Sequence, residues 1–228
     1  MVFIAVVALA AAFGLLFVLT PSAGQATALA RAQAHGHHIA YPGPPVPAYF
    51  ALALVATEDH RFYSDPGVDP IALVRVAASW VTGHTDGGGS TIDQQLAKNL
   101  YTSGHSSFLQ IIEQVAMAVK LNQAYSRAEI LRLYAEVAYY GHGYYGLEAA
   151  SCGYFGRPPA ALTLVQAAML AGVVNAPTYD DPLVYPAHAR ARLVHVLGRM
   201  AAVGDLTGAQ EEGALKAPLD LSAVRGCP

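Results

Sequence analysis

Two short stretches hold the side chains best placed to do chemistry. ATEDHRFYSDPGVD, residues 56–69, sets Glu58 and Asp59 at the end of an apolar run. GGGSTIDQQLAKN, residues 87–99, runs three glycines into Ser90 and Thr91, then into a segment carrying Gln94, Gln95, Lys98 and Asn99. A carboxyl at the edge of a core is partly desolvated, which favours its neutral form and moves it towards the range useful to a general base. Successive helical residues point about 100° apart, so Glu58 and Asp59 do not share one proton. One does chemistry, and the other orients the loop or pairs with Arg61. In the second stretch Ser90 is expected as N-cap, with Asp93 as its capping-box partner. Ile92, Leu96 and Leu100 then fall on one helix face, and Thr91, Gln94, Gln95 and Lys98 on the other. Glycines let the backbone approach a ligand closely, the first N–H groups of a helix favour an anion, and Lys98 adds a point charge. The pattern suits a phosphate or pyrophosphate. It is not a nucleotide P-loop, because glycine stands where lysine should precede the Ser-Thr pair.

The elements that must position these residues read as helices. Apolar residues recur at helical spacing from Ala48 to Glu58, over 70–82 with the single tryptophan Trp80, and over 90–100, 107–122, 127–139, 146–155, 163–173 and 187–203. Alternating strand patterns are nearly absent, so the fold is expected to be mainly α, with one domain over 47–203 and a tail over 204–228. Residues 21–46, rich in Ala, Gly, Gln, His and Pro, read as a linker, and the His35/His37/His38 cluster reads as part of it. Val2 to Leu19 carries no charge and spans about 27 Å as a helix, enough to cross a bilayer. Residues 1–20 are therefore expected as a transmembrane anchor, with a cleaved signal peptide as the rival. The net charge of −3 shows no nucleic-acid footprint. Cys152 and Cys227 read as two unrelated thiols, although a disulfide is permitted outside the cytoplasm.

In this order, the two stretches resemble the first and second motifs of the peptidoglycan glycosyltransferases, the family 51 domains of monofunctional transglycosylases and bifunctional penicillin-binding proteins. YSRAEILRLYAEVAYYGHGYYGLEAA (125–150) is similar to the fourth motif, and YFGRPPAALTLVQAAMLAGVVNAPTYDDP (154–182) to the fifth. The resemblance covers roughly 45–200. It implies a lysozyme-like helical domain with a small apolar jaw near the membrane. It also implies an enzyme that polymerises lipid II with inversion and releases polyprenyl pyrophosphate, expected to be monofunctional because no transpeptidase sequence follows. Glu58 would be the general base, and Asp59, Ser90, Thr91, Gln94, Gln95, Lys98 and Asn99 would line the phosphate and sugar path. A divalent cation, Mg or Mn, would accompany the pyrophosphate. The partners implied are lipid II, the growing glycan chain, the bacterial cytoplasmic membrane and other cell-wall synthesis proteins. The domain would lie on the outer side of that membrane, against the weak opposite hint of Arg31.

The sequence departs from the family pattern in several places. Asp65 stands for a usual His in the first motif, and Glu136 for an expected Asn in the fourth. In the third motif the second essential Glu falls on Gln114, and an Arg-Lys pair falls on Gln110 and Ile111. Glu113 lies one position early, rotated about 100°. Glu113 and Gln114 are thus the remaining catalytic candidates. A degenerate member that binds lipid II or cell-wall machinery without polymerising it is the competing reading. A hydrolase has no use for a pyrophosphate-holding helix.

Overall fold

The computed structural model describes residues 14–69, apart from 16, together with 90–102 and 107–222. Most of the apolar segment 2–19, the stretch 70–82 expected as a helix with Trp80, and the glycines 87–89 lie outside the described residues. Among those described, no helix is long and apolar enough to cross a membrane.

The described chain is helical, with one isolated bridge between Tyr139 and Tyr145 and no strand. After a 3-10 turn at Ala23–Gln25 come α1 (Ala26–Gly36), α2 (Ala48–Glu58), α3 (Ile92–Tyr101), α4 (Phe108–Ala124), α5 (Arg127–Val137), α6 (Leu147–Phe155), α7 (Leu164–Val173), α8 (Pro186–Ala202) and α9 (Gly208–Lys216). The linker expectation for 21–46 is corrected by α1. Ala26, Ala30 and Ala34 form a buried stripe of small residues at i, i+4, i+8, and Ala26 and Ala30 belong to the common core. Small side chains let α1 lie close against α5, and a stripe without Leu or Ile carries little hydropathy signal. His37 lies stacked on Tyr145, ring centroids 3.5 Å apart. The tail likewise contains a helix, α9, packed on α8.

Two packing groups position the site. The apolar run of α2 buries Phe50, Ala53, Leu54, Val55 and Ala56 against α7 and α8. Every residue of α7 from Val165 to Val173 is buried, so this helix is enclosed on all sides. In the other group α3 packs on α4 and α5 through Ile92, Leu96 and Leu100, the face read from the sequence. The end of α2 meets the start of α3 at the two stretches singled out above. Cys152, in α6, is disulfide-bonded, which corrects the reading of two unrelated thiols. Cys227 lies outside the described residues.

Candidate active site

Glu58 is the last residue of α2, and its side chain is 6% exposed. Three side chains converge on the carboxylate. Arg192 Nη2 donates to Oε1 at 2.5 Å, Gln95 Nε2 donates to Oε2 at 3.1 Å, and Asn175 Nδ2 lies 3.3–3.4 Å from both oxygens. Arg192 is itself braced by Nε donating to the Gly172 carbonyl at 3.1 Å. Gly172 carries no side chain because α8 crosses so close that a Cβ there would sit 3.0 Å from Arg192 Cγ and 3.1 Å from Val196 Cγ2. That close crossing brings the guanidinium onto Glu58. Gln95 is held from behind by Tyr134, whose hydroxyl donates to Gln95 Oε1 at 2.7 Å. Burial, and then the neighbouring Glu58 charge, hold the Tyr134 phenol far above its ordinary pKa, so it stays a donor.

Asp59 plays a different part. It does not pair with Arg61, whose guanidinium goes to Asp69 and Asp65. It is buried, and its Oδ2 accepts from the Ile92 backbone N–H at 3.1 Å. Asp59 therefore clamps the end of α2 to the first N–H of α3. A second clamp lies beside it, with the Thr91 hydroxyl donating to the Gly67 carbonyl at 2.8 Å. Gly67 sits at φ +88°, and a Cβ there would lie 2.6 Å from the Ala118 carbonyl oxygen. Only glycine lets this loop rest on α4. Below the clamps, Asp93 is 1% exposed. It takes hydrogen bonds from Asn122 at 3.2 Å and Arg127 at 3.3 Å.

Burial pushes the Asp59 carboxyl from 3.8 to about 6, only partly offset by the Ile92 N–H and Arg127. Burial raises Asp93 as well. Between about pH 4 and pH 6 the folded protein thus holds a proton on Asp59 that the unfolded chain has released. Stability from this site is greatest below about pH 4 and falls as pH rises through 6, by roughly 2–3 kcal/mol. Asp59→Asn keeps an acceptor for Ile92 and removes the buried charge. Thermal melts above about pH 7 should show the variant higher by ~5 °C or more, converging with wild type near pH 4. A variant that melts lower than wild type across the range would refute this account.

The anion expectation at the start of the second stretch is corrected in its details. Thr91, not Ser90, is the N-cap, and its box partner is Gln94, not Asp93. The first-turn donors are spent: Ile92 N–H on Asp59, Gln94 N–H on Thr91 Oγ1, and Gln95 N–H on the Thr91 carbonyl. Thr91 is buried, and the Gln94 side-chain oxygen returns to the Thr91 N–H at 2.9 Å. Both side chains serve the cap of α3. Ser90 is exposed, with its carbonyl 3.5 Å from Gln95 Nε2. Asn99 gives its carbonyl to Gln33 Nε2 at 2.8 Å, a contact with α1. Lys98 is half-buried, and among the described residues no carboxylate pairs with its ammonium.

The third-motif candidates lie apart from Glu58. Gln114 is buried and donates to Thr102 Oγ1 at 2.9 Å. Glu113 lines an open groove with Leu19, Thr20, Pro21, Leu109 and Ile112. Glu136 ties the chain after α1 to α5, accepting from the Gly43 N–H and from Arg132, each at 2.8 Å. Sequence reading missed Arg192, Asn175 and Tyr134. The fourth and fifth stretches contain Tyr134 and Asn175 but give no sign that they turn towards Glu58. Arg192 is one of several arginines on an amphipathic helix.

The transglycosylase family model matches residues 25–201, from the start of α1 almost to the end of α8. A Cupriavidus necator protein named as a transglycosylase is 37% identical over 176 residues, covering 77% of this chain and 76% of that one. Penicillin-binding protein 1A of Aquifex aeolicus is 39% identical over 175 residues, 76% of this chain and 24% of that protein. The Escherichia coli penicillin-binding protein 1A is 39% identical over 166 residues, 72% of this chain and 20% of that protein. The match thus spans about a quarter or less of these penicillin-binding proteins. The chain belongs to the transglycosylase family.

Proposed function

We propose that this protein is a peptidoglycan glycosyltransferase that polymerises lipid II into glycan strands with inversion, releasing polyprenyl pyrophosphate. The observation that carries the reading is the Glu58 carboxylate, buried at a helix end and bridged by Gln95 to the helix that bears Lys98. Arg192 occupies Oε1, so Oε2, held by neutral donors, is the oxygen that takes the proton from the acceptor 4-hydroxyl. The acceptor 4-oxygen, relieved of its proton, then attacks C1 of the donor sugar from the face opposite the leaving group, and the pyrophosphate leaves with the bonding pair. Lys98 lies three residues beyond Gln95, on the same helix face and about 4.5 Å further along the axis. It is the residue available to offset charge on the leaving group. Among the described residues no group of three His, Cys, Asp or Glu side chains is arranged to hold a metal. A divalent cation here would be one carried by the substrate pyrophosphate, with one or two carboxylates of the protein beside it.

The reaction calls for an extracytoplasmic domain at the membrane, with residues 2–19 as its anchor, and the disulfide at Cys152 supports an oxidising compartment. The direct test is purified protein with labelled lipid II, products separated on a gel. Ladders of glycan support the reading, and their absence ends it. Lys98→Ala should weaken lipid II binding by about 1.5–3 kcal/mol, the range for a charged hydrogen bond. Affinity for a phosphate-free lipid glycoside should stay the same, and an unchanged lipid II dissociation constant would remove Lys98 from the path.

The second reading, a binder of lipid II that does not polymerise it, is favoured by one observation. Gln114 has no carboxylate, its amide is committed to Thr102, and Glu113 turns to a different groove. Lipid II binding without any polymer is the result that selects it.

A further inference from the structure

We propose that Tyr179, His188 and Tyr185 form an aromatic platform on which a sugar ring of the glycan strand stacks, beside the Glu58 site. The inference rests on the glycan-polymerising reading. The three rings lie nearly parallel. Tyr179 and His188 have centroids 4.0 Å apart at 21°, Tyr185 and His188 5.7 Å apart at 21°, and the two tyrosines 6.4 Å apart at 28°. A hydrogen-bonding distance of 3.3 Å from His188 Nδ1 to the Tyr179 carbonyl adds to the order. Yet Tyr179 is 60% and Tyr185 46% exposed. Tyrosines that serve the core here, such as Tyr134, Tyr140 and Tyr154, are almost wholly buried. The stack is therefore ordered without being buried, the condition under which a ring face is offered to a ligand at little entropic cost.

Its place is defined by the residues that hold Glu58. Asn175, a donor to Glu58, lies four residues before Tyr179. Arg192 follows His188 by four residues on α8, so the two share a helix face one turn apart, a rise of about 6 Å. Asp180 is buried, and burial raises its carboxyl pKa, an effect that nearby Arg192 and His188 partly offset. The platform thus sits on the same two segments that supply Asn175 and Arg192 to Glu58. The chemistry is complementary. The axial C–H face of a β-linked hexosamine carries partial positive charge, and an aromatic face carries negative charge. Hydroxyl and acetamido groups at the sugar rim remain in water, as the open position of the platform allows.

The test uses the full chain and short chito-oligosaccharides, which share the β-1,4 hexosamine backbone and lack peptide and pyrophosphate. Dissociation constants from calorimetry or NMR titration should be about tenfold weaker in Tyr179→Ala, while Tyr179→Phe, which keeps the ring, should stay within about twofold of wild type. The exposed position predicts unchanged melting temperatures for both. Equal affinity in wild type and a folded Tyr179→Ala overturns the platform, as does a wild type that binds no saccharide. If wild type makes no polymer from lipid II and Tyr179→Ala still loses saccharide affinity, the platform stands and the polymerase reading falls. If wild type polymerises and the variant binds saccharide normally, the platform falls alone.

Discussion

Glu58→Gln leaves the helical domain folded and removes nearly all glycan polymerisation, a loss of about 10²–10⁴-fold if the carboxylate acts as the general base. The surrounding network explains why fold and activity separate. A glutamine oxygen turned towards Arg192 still accepts its guanidinium. The new amide then faces Gln95 Nε2 and Asn175 Nδ2, which are donors. Gln95 can turn its own amide over, because Tyr134 behind it has a hydroxyl able to accept as well as donate. Asn175 is exposed and can turn to water. The stability cost is expected within about 1–3 kcal/mol, visible as a modest fall in melting temperature. Lipid II binding, which depends on other groups, should persist. Brisk polymer synthesis by this variant would strip Glu58 of its role.

Arg192→Ala should combine a large activity loss, about 10²-fold, with a destabilisation of about 3 kcal/mol. Removing one member of a buried ion pair leaves the other charge stranded, and the Glu58 side chain is 6% exposed. Arg192 positions Glu58 rather than touching the sugar, so its effect should fall on kcat more than on KM. Arg192→Lys cannot reach both Glu58 and the Gly172 carbonyl as the planar guanidinium does, and should fall between the two. The decisive comparison is the double variant Glu58→Gln/Arg192→Ala. With the stranded charge gone, its melting temperature should recover above that of Arg192→Ala alone, the coupling expected of contacting residues. Strict additivity of the two melting shifts would mean that the pair does not stabilise the site.

Sequence reading went furthest where the signal was local. The Ile92, Leu96 and Leu100 face, the apolar run ending in Glu58 and the helices between Arg127 and Ala202 follow from periodicity, because each buries a stripe that repeats every three to four residues. Thr91 displaced Ser90 as cap by one position, which turned Asp93 inward to Arg127 and used up the N–H groups expected to face an anion. Helix α1 was hidden because its buried stripe is alanine. Asn175 and Arg192 were hidden for a different reason. They lie 117 and 134 residues from Glu58, and no local pattern encodes which distant amide or guanidinium a carboxylate will meet.

That long separation between Glu58 and Arg192 also orders the birth of the molecule. When α2 leaves the ribosome or a translocation channel, its carboxylate and its Phe50–Leu54 face have no partners. Gln95 arrives with α3, but Asn175, Arg192 and the helices that cover the apolar face arrive only with α7 and α8, near the end of the domain. The α1, α3, α4 and α5 group, closer in sequence, can close earlier, since loop closure over shorter spans costs less entropy. Until the chain has passed residue 192, α2 is an apolar segment with a charged end, exposed to chaperones and proteases. The last helix to pack on α2 also delivers the guanidinium, so a chain interrupted before α8 leaves α2 covered on one side only and its carboxylate without a counter-charge.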